Sequence, residues 1–385
     1  MTQPPEGLRR SAWLEIDLAA IRHNVGIIRR LVGTARVAPV IKAEAYGHGA
    51  VPVGVALAEV ADALCVATLD EAVALRSRVA SRILMLYPTP AHAAQDALMA
   101  DVELTLMSEA DLQALEGVVA RVGTTTAVQL CVETGMGRGG LRPEAVAALA
   151  ARIHGHRRFV LMGLWSHLST PEDLDVSRRQ VERFDAACTA VRAAGVPMPP
   201  CHLAASGGIF GQAAPPLDLV RPGLAVYGVL DEDLPVAAAA RDAAAQLRPA
   251  MSMKARAVAI SEIRSGETVG YGGHWRAARS SRVAILPVGY GDGFMRASGS
   301  GAVALVRGVR APLVGVISMD ALAVDITDLP TVGGDDEFVL LGSQGPESIS
   351  VGELARRRNT IAWEVLSSMA GRLDRVYHPR AGPAR

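Results

Sequence analysis

Short apolar segments alternate with amphipathic helical segments between Arg36 and Gly228. Eight of them have strand length: VAPVI, ALCVAT, RILMLYP, ELTLM, AVQLCVE, FVLMGLWSH, CHLAAS and LVRPGLAVYG. The intervening segments, such as DEAVALRSRVA and PEAVAALAARIHG, repeat apolar residues at helical spacing and are rich in helix-forming residues. This alternation predicts a parallel sheet with crossover helices, and closing that sheet gives a (β/α)8 barrel. A doubly wound open sheet has the same periodicity and stays open as the alternative.

The pattern changes after about Gln246. The later apolar segments have β character, with Gly and Pro at the turns: KARAVAI, SRVAILPVGY, AVALVRG, APLVGVISMDALAVDI and DEFVLLG. One helical segment, SVGELARRR, comes late. These features predict a mainly antiparallel β domain with a late helix. We therefore expect a flexible head over residues 1–12, a barrel over residues 13–243 and the β domain over residues 244–385.

Composition and charge narrow the classes of function. The 385 residues suffice for two domains, and half of them are hydrophobic, so a large core can form. The 39 basic and 39 acidic residues balance, which gives no reason to expect nucleic acid or an anionic membrane as a partner. No apolar run reaches the ~18 residues of a membrane span, and the N-terminus lacks the apolar segment of a signal peptide. The sequence therefore predicts a cytoplasmic protein.

The cysteines point to a reducing compartment rather than to a disulfide or zinc framework. They are far apart in sequence and contain no CxxC pair, so we interpret them as small buried residues. They are Cys65, Cys131, Cys188 and Cys201.

Chemically distinctive residues follow several of the predicted strands. They are Lys42 after the first run, Arg138 after the fifth, His167 at the end of the sixth, Ser206 after the seventh and Arg221 in the eighth. Because the carboxyl ends of barrel strands meet at one mouth, we expect these residues to be neighbours. The Ser-Gly-Gly turn and Gly223 offer backbone N–H groups that suit a phosphate. A lysine facing a phosphate-bearing ligand suggests covalent attachment of pyridoxal phosphate.

These segments together resemble the alanine racemase family. IKAEAYGHG is similar to the cofactor-lysine motif of that family, and GETVGYGGHW resembles the segment that carries its second catalytic base. The family's order is kept by ETGMGR, SHLST, AASGG, VRPGLAVYG, VGYGDGF and ISMD, and the resemblance runs from about Trp13 to Tyr377. It implies an isomerase that interconverts L- and D-alanine with pyridoxal 5′-phosphate, in homodimers with shared active sites and without a metal.

The resemblance also implies roles for individual residues on the cofactor. Lys42 would bind the cofactor covalently, and Arg221 would face its pyridine nitrogen. The cofactor phosphate would be held by Tyr46, Ser206 and the backbone at Gly223 and Leu224.

Substrate contacts are implied in the same way. Arg138 would orient the cofactor's phenolic oxygen and the substrate carboxylate, and His167 would lie between Arg221 and Tyr271. Three residues would reach the site from the partner subunit: Tyr271, Tyr290 and Met319.

Racemisation explains why these residue types are needed. A proton must leave one face of the α-carbon and another must arrive on the opposite face, so Lys42 can serve one face and Tyr271 the other. A free tyrosine has a pKa near 10, so its anion needs nearby positive charge or hydrogen bonds, which His167 and Arg221 could supply. Because Arg221 stays protonated, it will not hand the pyridine nitrogen a proton. A weaker electron sink favours simple reprotonation over transamination.

Several positions depart from the family's pattern. Cys131 stands where many members have a carbamylated lysine that pairs with the arginine of ETGMGR. Trp363 replaces a tyrosine that usually contacts the phosphate, and Glu44 replaces the usual Asp or Asn. The segment GVISMDA has Val316 and Ala321 where the family has Arg and Gln. These changes bear on substrate identity and turnover more than on the type of reaction.

Other functions stay open from the sequence alone. A serine or broad-specificity racemase would use the same cofactor and fold. A decarboxylase would not need Tyr271 as a second base, and non-catalytic pyridoxal-phosphate carriers resemble only the barrel half. A metal hydrolase is a further alternative, although the nine histidines show no HxH spacing at a strand end.

Overall fold

The computed structural model describes residues 7–299, 301–369 and 371–378. The chain divides into two compact units. We call the unit formed by Ile21–Ala45 and Gly49–Arg248 the barrel unit, and the unit formed by Met1–Ala20, Tyr46–His48 and Pro249–Arg385 the β unit. Residues 1–6 of the predicted head and residues 379–385 of the tail lie outside the described residues.

Short parallel strands form the inner wall of the barrel unit. After β1 (Ala12–Asp17), which belongs to the other unit, they are β2 (Arg36–Val37), β3 (Leu64–Val66), β4 (Ile83–Met85), β5 (Leu104–Leu106), β6 (Thr126–Cys131), β7 (Phe159–Trp165), β8 (Cys201–His202) and β9 (Leu219–Val220). Each coincides with one of the apolar runs of the sequence. Every residue of β3, β4 and β5 is buried, as expected for strands covered on both faces.

These strands close into a ring. β3 pairs with β4, and β5 to β8 form one continuous parallel run. Isolated parallel bridges join β2 to β3 and β4 to β5. Backbone hydrogen bonds of 2.9–3.0 Å join β8 to β9, and β9 pairs with β2. The predicted barrel is therefore confirmed, and the open-sheet alternative is wrong.

Helices follow the barrel strands. They are α1 (Leu18–Val32), α2 (Lys42–Tyr46), α3 (Ala50–Leu57), α4 (Leu69–Arg76), α5 (Ala94–Met99), α6 (Glu109–Val122), α7 (Pro143–His154), α8 (Leu174–Ala193), α9 (Ser206–Phe210) and α10 (Arg241–Ala245), with 3₁₀ turns at Ala91–Ala93, Leu224–Tyr227 and Ala238–Ala240. Reciprocal capping boxes start α4 at Thr68 and α6 at Ser108. No helix in the described ranges is long and apolar enough to cross a membrane.

The β unit is mainly antiparallel, as predicted. Its later elements are β10 (Met251–Arg256), β11 (Ala259–Ile263), β12 (Thr268–Val269), β13 (Trp275–Arg276), β14 (Ser281–Leu286), β15 (Val303–Val306), β16 (Val309–Val314), β17 (Leu322–Asp325), β18 (Glu337–Gln344), β19 (Glu347–Ile349), α11 (Val351–Arg358), α12 (Ala362–Ser367) and β20 (Asp374–His378), with 3₁₀ turns at Tyr271–Gly273, Tyr290–Asp292 and Arg296–Gly299. The main sheet has the order β11-β14-β17-β16-β15-β18-β10-β1-β20 among the described strands, and β19 pairs with β18.

The start of the chain is built into this sheet. β1 runs antiparallel to β10 and parallel to β20, so Ala12–Asp17 belongs with the β unit. The predicted division had placed residues 13–20 in the barrel and the boundary at 243, whereas the barrel unit begins at Ile21 and ends at Arg248. Pairing between strands more than 200 residues apart determines this division, and a local pattern does not report it.

Candidate active site

Lys42 stands at the end of the first barrel strand. The Val40 N–H donates to the Pro222 carbonyl and the Ile41 N–H to the Cys65 carbonyl, both at 2.8 Å, so the backbone is fixed up to this point. The amine of Lys42 is half-buried. Its side chain therefore starts at the carboxyl-end mouth of the barrel, where the sequence predicted it.

The segment after Lys42, α2, is a single left-handed turn. Ala43, Glu44 and Ala45 have φ of 50°, 54° and 52°, a region that crowds Cβ against the next carbonyl and costs about 1–2 kcal/mol per residue. Hydrogen bonds hold the turn: the Ala43 N–H donates to Glu71 Oε1 at 2.7 Å, and the Ala50 N–H donates to Glu44 Oε2 at 3.0 Å. Glu44, a departure from the family pattern, therefore supports the turn and the start of α3.

Lys42 and Lys254 are the chain's two lysines, and their environments differ. Burial, and next the positive charge of Arg138, lower the pKa of the Lys42 amine. At Lys254, burial alone would also lower the pKa, but Glu15 and Glu337, at 2.9 and 3.0 Å, raise it. Lys42 has no ion-pair partner within the described residues. Lys42 is thus the amine that is more easily deprotonated and free to react.

Arg221 is buried directly after β9, with 2 % of its surface exposed. Its guanidinium donates to the Ser166 carbonyl at 2.6 Å, to the His202 carbonyl at 3.1 Å and to His202 Nδ1 at 2.5 Å. The indole ring of Trp165 lies 4.8 Å from its Cζ atom. Burial lowers the pKa of Arg221 to about 10, so it stays a cation at neutral pH. His202, in the segment CHLAAS, is a site residue that the sequence reasoning missed.

His167 follows β7 and lies within electrostatic reach of three cations. Burial, followed by Arg221, Arg138 and Lys42, lowers the pKa of His167 to about 3. The imidazole is therefore neutral at physiological pH. It can donate or accept a hydrogen bond, but the positive charge that the sequence reasoning sought must come from Arg221.

Three of the residues predicted to bind phosphate lie together at the ends of β8 and β9: Ser206, Gly223 and Leu224. Ser206 Oγ accepts the N–H groups of Gly223 at 3.0 Å and Ala225 at 3.2 Å. Ser206 is buried, as is Leu224 in the next turn of the chain. Because Ser206 Oγ accepts both N–H groups, its own hydroxyl hydrogen is left to donate, and a buried hydroxyl beside a turn of backbone N–H groups suits a phosphate. Together with the amine of Lys42 and the guanidinium of Arg221, this donor set fits pyridoxal phosphate.

Arg138 lies in a loop shaped by Glu133. The Glu133 carboxylate accepts the N–H groups of Gly135 at 2.5 Å and Gly137 at 2.9 Å. Partial burial would raise the pKa of Glu133, but these backbone donors lower it. Arg138 is exposed, and its guanidinium carbon lies 5.8 Å from the centre of the Tyr87 ring. Sequence reasoning missed both Glu133 and Tyr87.

Cys131 stands where the resemblance implies a carbamylated lysine. It is buried, and burial raises the pKa of its thiol to about 12, so the group is neutral. No described residue forms an ion pair with Arg138. All four cysteines are buried free thiols, as the sequence indicated, and the Sγ atoms of Cys188 and Cys201 lie 3.8 Å apart.

The remaining predicted site residues belong to the β unit. They are Tyr46, Tyr271, Tyr290 and Met319. The side chains of the last three are exposed by 75 %, 39 % and 51 %, respectively. The Tyr290 N–H donates to the Ser318 carbonyl and the Gly291 N–H to the Met319 carbonyl, both at 3.0 Å, so Tyr290 and Met319 are held side by side.

A buried carboxylate anchors the loop that carries Tyr290. Asp292 is fully buried and accepts hydrogen bonds from Arg10 at 2.6 and 3.1 Å, from Arg372 at 3.0 Å and from the Gly289 N–H at 3.0 Å. Arg372 also donates to Asp320 at 2.6 Å, in the segment ISMD. Sequence reasoning missed Asp292 because its partners lie far away along the chain.

Comparison with known proteins matches nearly the whole chain. The family model described as alanine racemase, N-terminal domain, matches residues 16–231, and that described as alanine racemase, C-terminal domain, matches residues 250–377. An alanine racemase of Desulfovibrio desulfuricans is 37 % identical over 376 residues, covering 96 % of this chain and 98 % of its own.

Solved structures agree with this match. The biosynthetic alanine racemase from Pseudomonas aeruginosa has a TM-score of 0.83 at 33 % identity and covers 96 % of this chain and 99 % of its own. The alanine racemase from D-cycloserine-producing Streptomyces lavendulae has a TM-score of 0.88 at 30 % identity and covers 98 % of both chains.

Proposed function

The chain belongs to the alanine racemase family and is an isomerase, and from this premise we propose that it interconverts L- and D-alanine with pyridoxal 5′-phosphate and two bases. The observation that carries the proposal is the state of the chain's two lysines. The Lys254 amine forms ion pairs with two carboxylates. The Lys42 amine has a lowered pKa and lies at the barrel mouth, near cationic side chains and near groups that can donate hydrogen bonds to a phosphate. An amine that binds an aldehyde covalently must first lose its proton, and the lowered pKa of Lys42 favours that loss.

Most groups of the proposed cofactor site belong to the barrel unit, and the exception is Tyr46 of the β unit. Lys42 would hold the cofactor through its amine, and Ser206, Gly223 and Leu224 would hold its phosphate, with Tyr46 contributing its hydroxyl. When bound, pyridoxal phosphate withdraws electrons from the substrate's α-carbon and so acidifies its α-hydrogen.

Arg221 sets the character of the reaction. A buried guanidinium that stays charged would donate a hydrogen bond to the pyridine nitrogen without releasing a proton to it. Limited electron withdrawal favours return of a proton to the α-carbon, which is racemisation. His167 is neutral, so it would orient neighbouring groups by hydrogen bonding without adding a second charge.

The second base is proposed to be Tyr271 of the partner subunit. A side chain with 75 % of its surface exposed is not shielded for acid–base chemistry within its own subunit, and Tyr290 and Met319 are exposed as well. Burial of these side chains against a second copy of the chain would complete two shared sites in a homodimer. The proton leaving one face would pass to one base, and the other base would deliver a proton to the opposite face.

Alanine is the proposed substrate because the curated relatives are alanine racemases. Arg138 is exposed and has no carboxylate partner among described residues, which leaves it available for the substrate's carboxylate. A serine or broad-specificity racemase would use the same groups, so both amino acids belong in the test.

The test uses purified protein supplied with pyridoxal phosphate and either L-alanine or L-serine in heavy water. We expect α-deuterated D-alanine to form faster than D-serine. Borohydride treatment before digestion should place a stable cofactor adduct on Lys42, and the same adduct should form in Lys254→Arg protein, the matched control. Absence of D-amino acid, or an adduct on Lys254, would contradict the proposal.

A further inference from the structure

A chain of hydrogen bonds runs through the barrel interior to Arg221. Arg82 Nε donates to Glu103 Oε1 at 2.6 Å, and Gln129 Nε2 donates to Glu103 Oε2 at 2.6 Å. His202 Nε2 contacts Gln129 Oε1 at 2.7 Å, and Arg221 donates to His202 Nδ1 at 2.5 Å. Glu103, Gln129 and His202 are at least 94 % buried, so water does not compete for these groups. We call this chain, from Arg82 to Arg221, the barrel relay.

The direction of each hydrogen bond in the barrel relay follows from Glu103. An ionised carboxylate only accepts, so the amide group of Gln129 that faces it must be NH₂. The carbonyl oxygen of Gln129 then faces His202, whose Nε2 must carry the ring proton. The neutral imidazole consequently presents a lone pair at Nδ1, which is what the guanidinium of Arg221 requires.

The opposite tautomer would disrupt the contact with Arg221. A proton on His202 Nδ1 would face an N–H group of Arg221, placing two donors 2.5 Å apart. A doubly protonated ring is disfavoured, since burial and then the charge of Arg221 hold the pKa of His202 well below its usual range. The His202 ring is stacked on Trp165, with centroids 6.1 Å apart and planes inclined by 7°, which limits its rotation.

Gly163 provides independent support for a fixed Gln129. A Cβ atom at this position in β7 would lie 2.7 Å from Gln129 Oε1 and 2.8 Å from Gln129 Cδ. A distance under 3.0 Å forces a shift of the neighbour. Gly163 therefore leaves the space that Gln129 needs to face both Glu103 and His202.

We propose that Glu103 and Gln129 are positioning residues that select the Nε2–H tautomer of His202 and thereby orient Arg221 toward the pyridine nitrogen. The last step rests on the proposed function, whereas the selection of the tautomer does not. Neither residue is among those proposed to bind substrate or cofactor. The charge of Glu103 acts on Arg221 through two intervening side chains, by fixing which atom of each is the donor.

The test is an isosteric Glu103→Gln substitution. An amide at 103 can donate as well as accept, so Gln129 is free to rotate and to present its NH₂ group to His202. In apoprotein labelled with ¹⁵N-histidine, the wild type should show a single Nε2–H tautomer for His202, assigned by its loss in His202→Gln protein. Glu103→Gln should show both tautomers or the Nδ1–H form. Gly163→Ala, which displaces Gln129 without changing any charge, should act in the same direction and serves if Glu103→Gln fails to fold.

Thr105→Val is the matched control. Thr105 is buried in β5, two residues after Glu103, and its hydroxyl donates to the Met85 carbonyl at 2.6 Å, outside the barrel relay. The His202 tautomer should be unchanged in this variant. In loaded enzyme, a weakened hydrogen bond from Arg221 would withdraw fewer electrons, so the ratio of abortive amino transfer to racemisation should fall about tenfold in Glu103→Gln, as expected for a hydrogen bond to a charged group, and stay constant in Thr105→Val.

The outcomes separate the two claims. A single Nε2–H tautomer in both Glu103→Gln and Gly163→Ala overturns the proposal. A changed tautomer with an unchanged amino-transfer ratio supports the selection of the His202 tautomer and overturns the orientation of Arg221 toward the pyridine nitrogen.

Discussion

Replacing Asp292 with Asn tests whether a buried carboxylate organises the exposed face of the β unit. The substitution keeps the size of the side chain but removes the charge and turns one acceptor into a donor. In the place of Oδ1 the new NH₂ group would face donors of Arg10 and Arg372, at 2.6 and 3.0 Å, and in the place of Oδ2 it would face Arg10 and the Gly289 N–H, at 3.1 and 3.0 Å. Each of these arrangements places two donors together in a site without solvent.

The magnitude follows from the burial of the carboxylate. Hydrogen bonds between charged groups are worth about 1.5–3 kcal/mol, and a buried group left unpaired adds a desolvation cost. Arg10 is 28 % exposed, so water restores part of its loss. We therefore expect Asp292→Asn to lower the free energy of unfolding of the β unit by about 2–3 kcal/mol, which lowers Tm by roughly 4–12 °C for a unit of this size.

Urea unfolding followed by circular dichroism and calorimetry measures this effect. Asp328→Asn is the matched control, because Asp328 is 80 % exposed and accepts from Arg279 at 2.6 and 2.7 Å. Exposed pairs of this kind contribute little. If both variants unfold at the same denaturant concentration, Asp292 does not anchor the loop of Tyr290, and our reasoning about it is refuted.

Three further predictions concern the site. Tyr271→Phe should lose roughly 10²–10⁴-fold in racemisation while still binding cofactor, as for the loss of a general base; full activity in steady-state assays would contradict its role. Trp363→Tyr should tighten cofactor binding by about 0.5–1.5 kcal/mol through a new hydrogen bond to phosphate and change the serine-to-alanine activity ratio. Fluorescence titration that shows neither change would make Trp363 a packing residue. Because the pKa of His167 is about 3 in the folded state and near 6.5 when unfolded, the unfolded state binds the extra proton in this range, so stability should fall as pH drops below about 6.5. Between pH 6 and pH 4, the unfolding free energy of His167→Asn should depend less steeply on pH than that of the wild type, by the equivalent of up to one bound proton.

Local pattern predicted the barrel because its strands are short, largely buried and mostly followed by a helix. The same pattern could not assign β1, since Ala12–Asp17 resembles a barrel strand and its partners β10 and β20 lie more than 200 residues away. The left-handed turn at Ala43–Ala45 was equally invisible, because its residues are helix formers and nothing local favours positive φ there.

The residues of the candidate site likewise divide into those that could be placed from the sequence and those that could not. Residues at strand ends, such as Lys42 and Arg221, could be placed from sequence because barrel geometry brings strand ends together. His202 and Asp292 could not be placed from sequence, because their roles depend on partners up to 282 residues away. His202 forms hydrogen bonds with Arg221 and Gln129, and Asp292 forms them with Arg10. Protonation also needs three-dimensional information, as the neutral state of His167 results from burial and surrounding cations.

The most direct test of the central claim is a mixed-dimer experiment. Lys42→Ala and Tyr271→Phe proteins, each inactive or nearly so, are combined in equal amounts, dissociated and allowed to re-form dimers, with exchange verified by differently tagged subunits. If Lys42 of one subunit works with Tyr271 of its partner, half of the dimers are mixed and each has one intact site of two. Alanine racemisation should therefore recover to about a quarter of the wild-type rate. Verified exchange without any recovery would contradict a site shared between subunits.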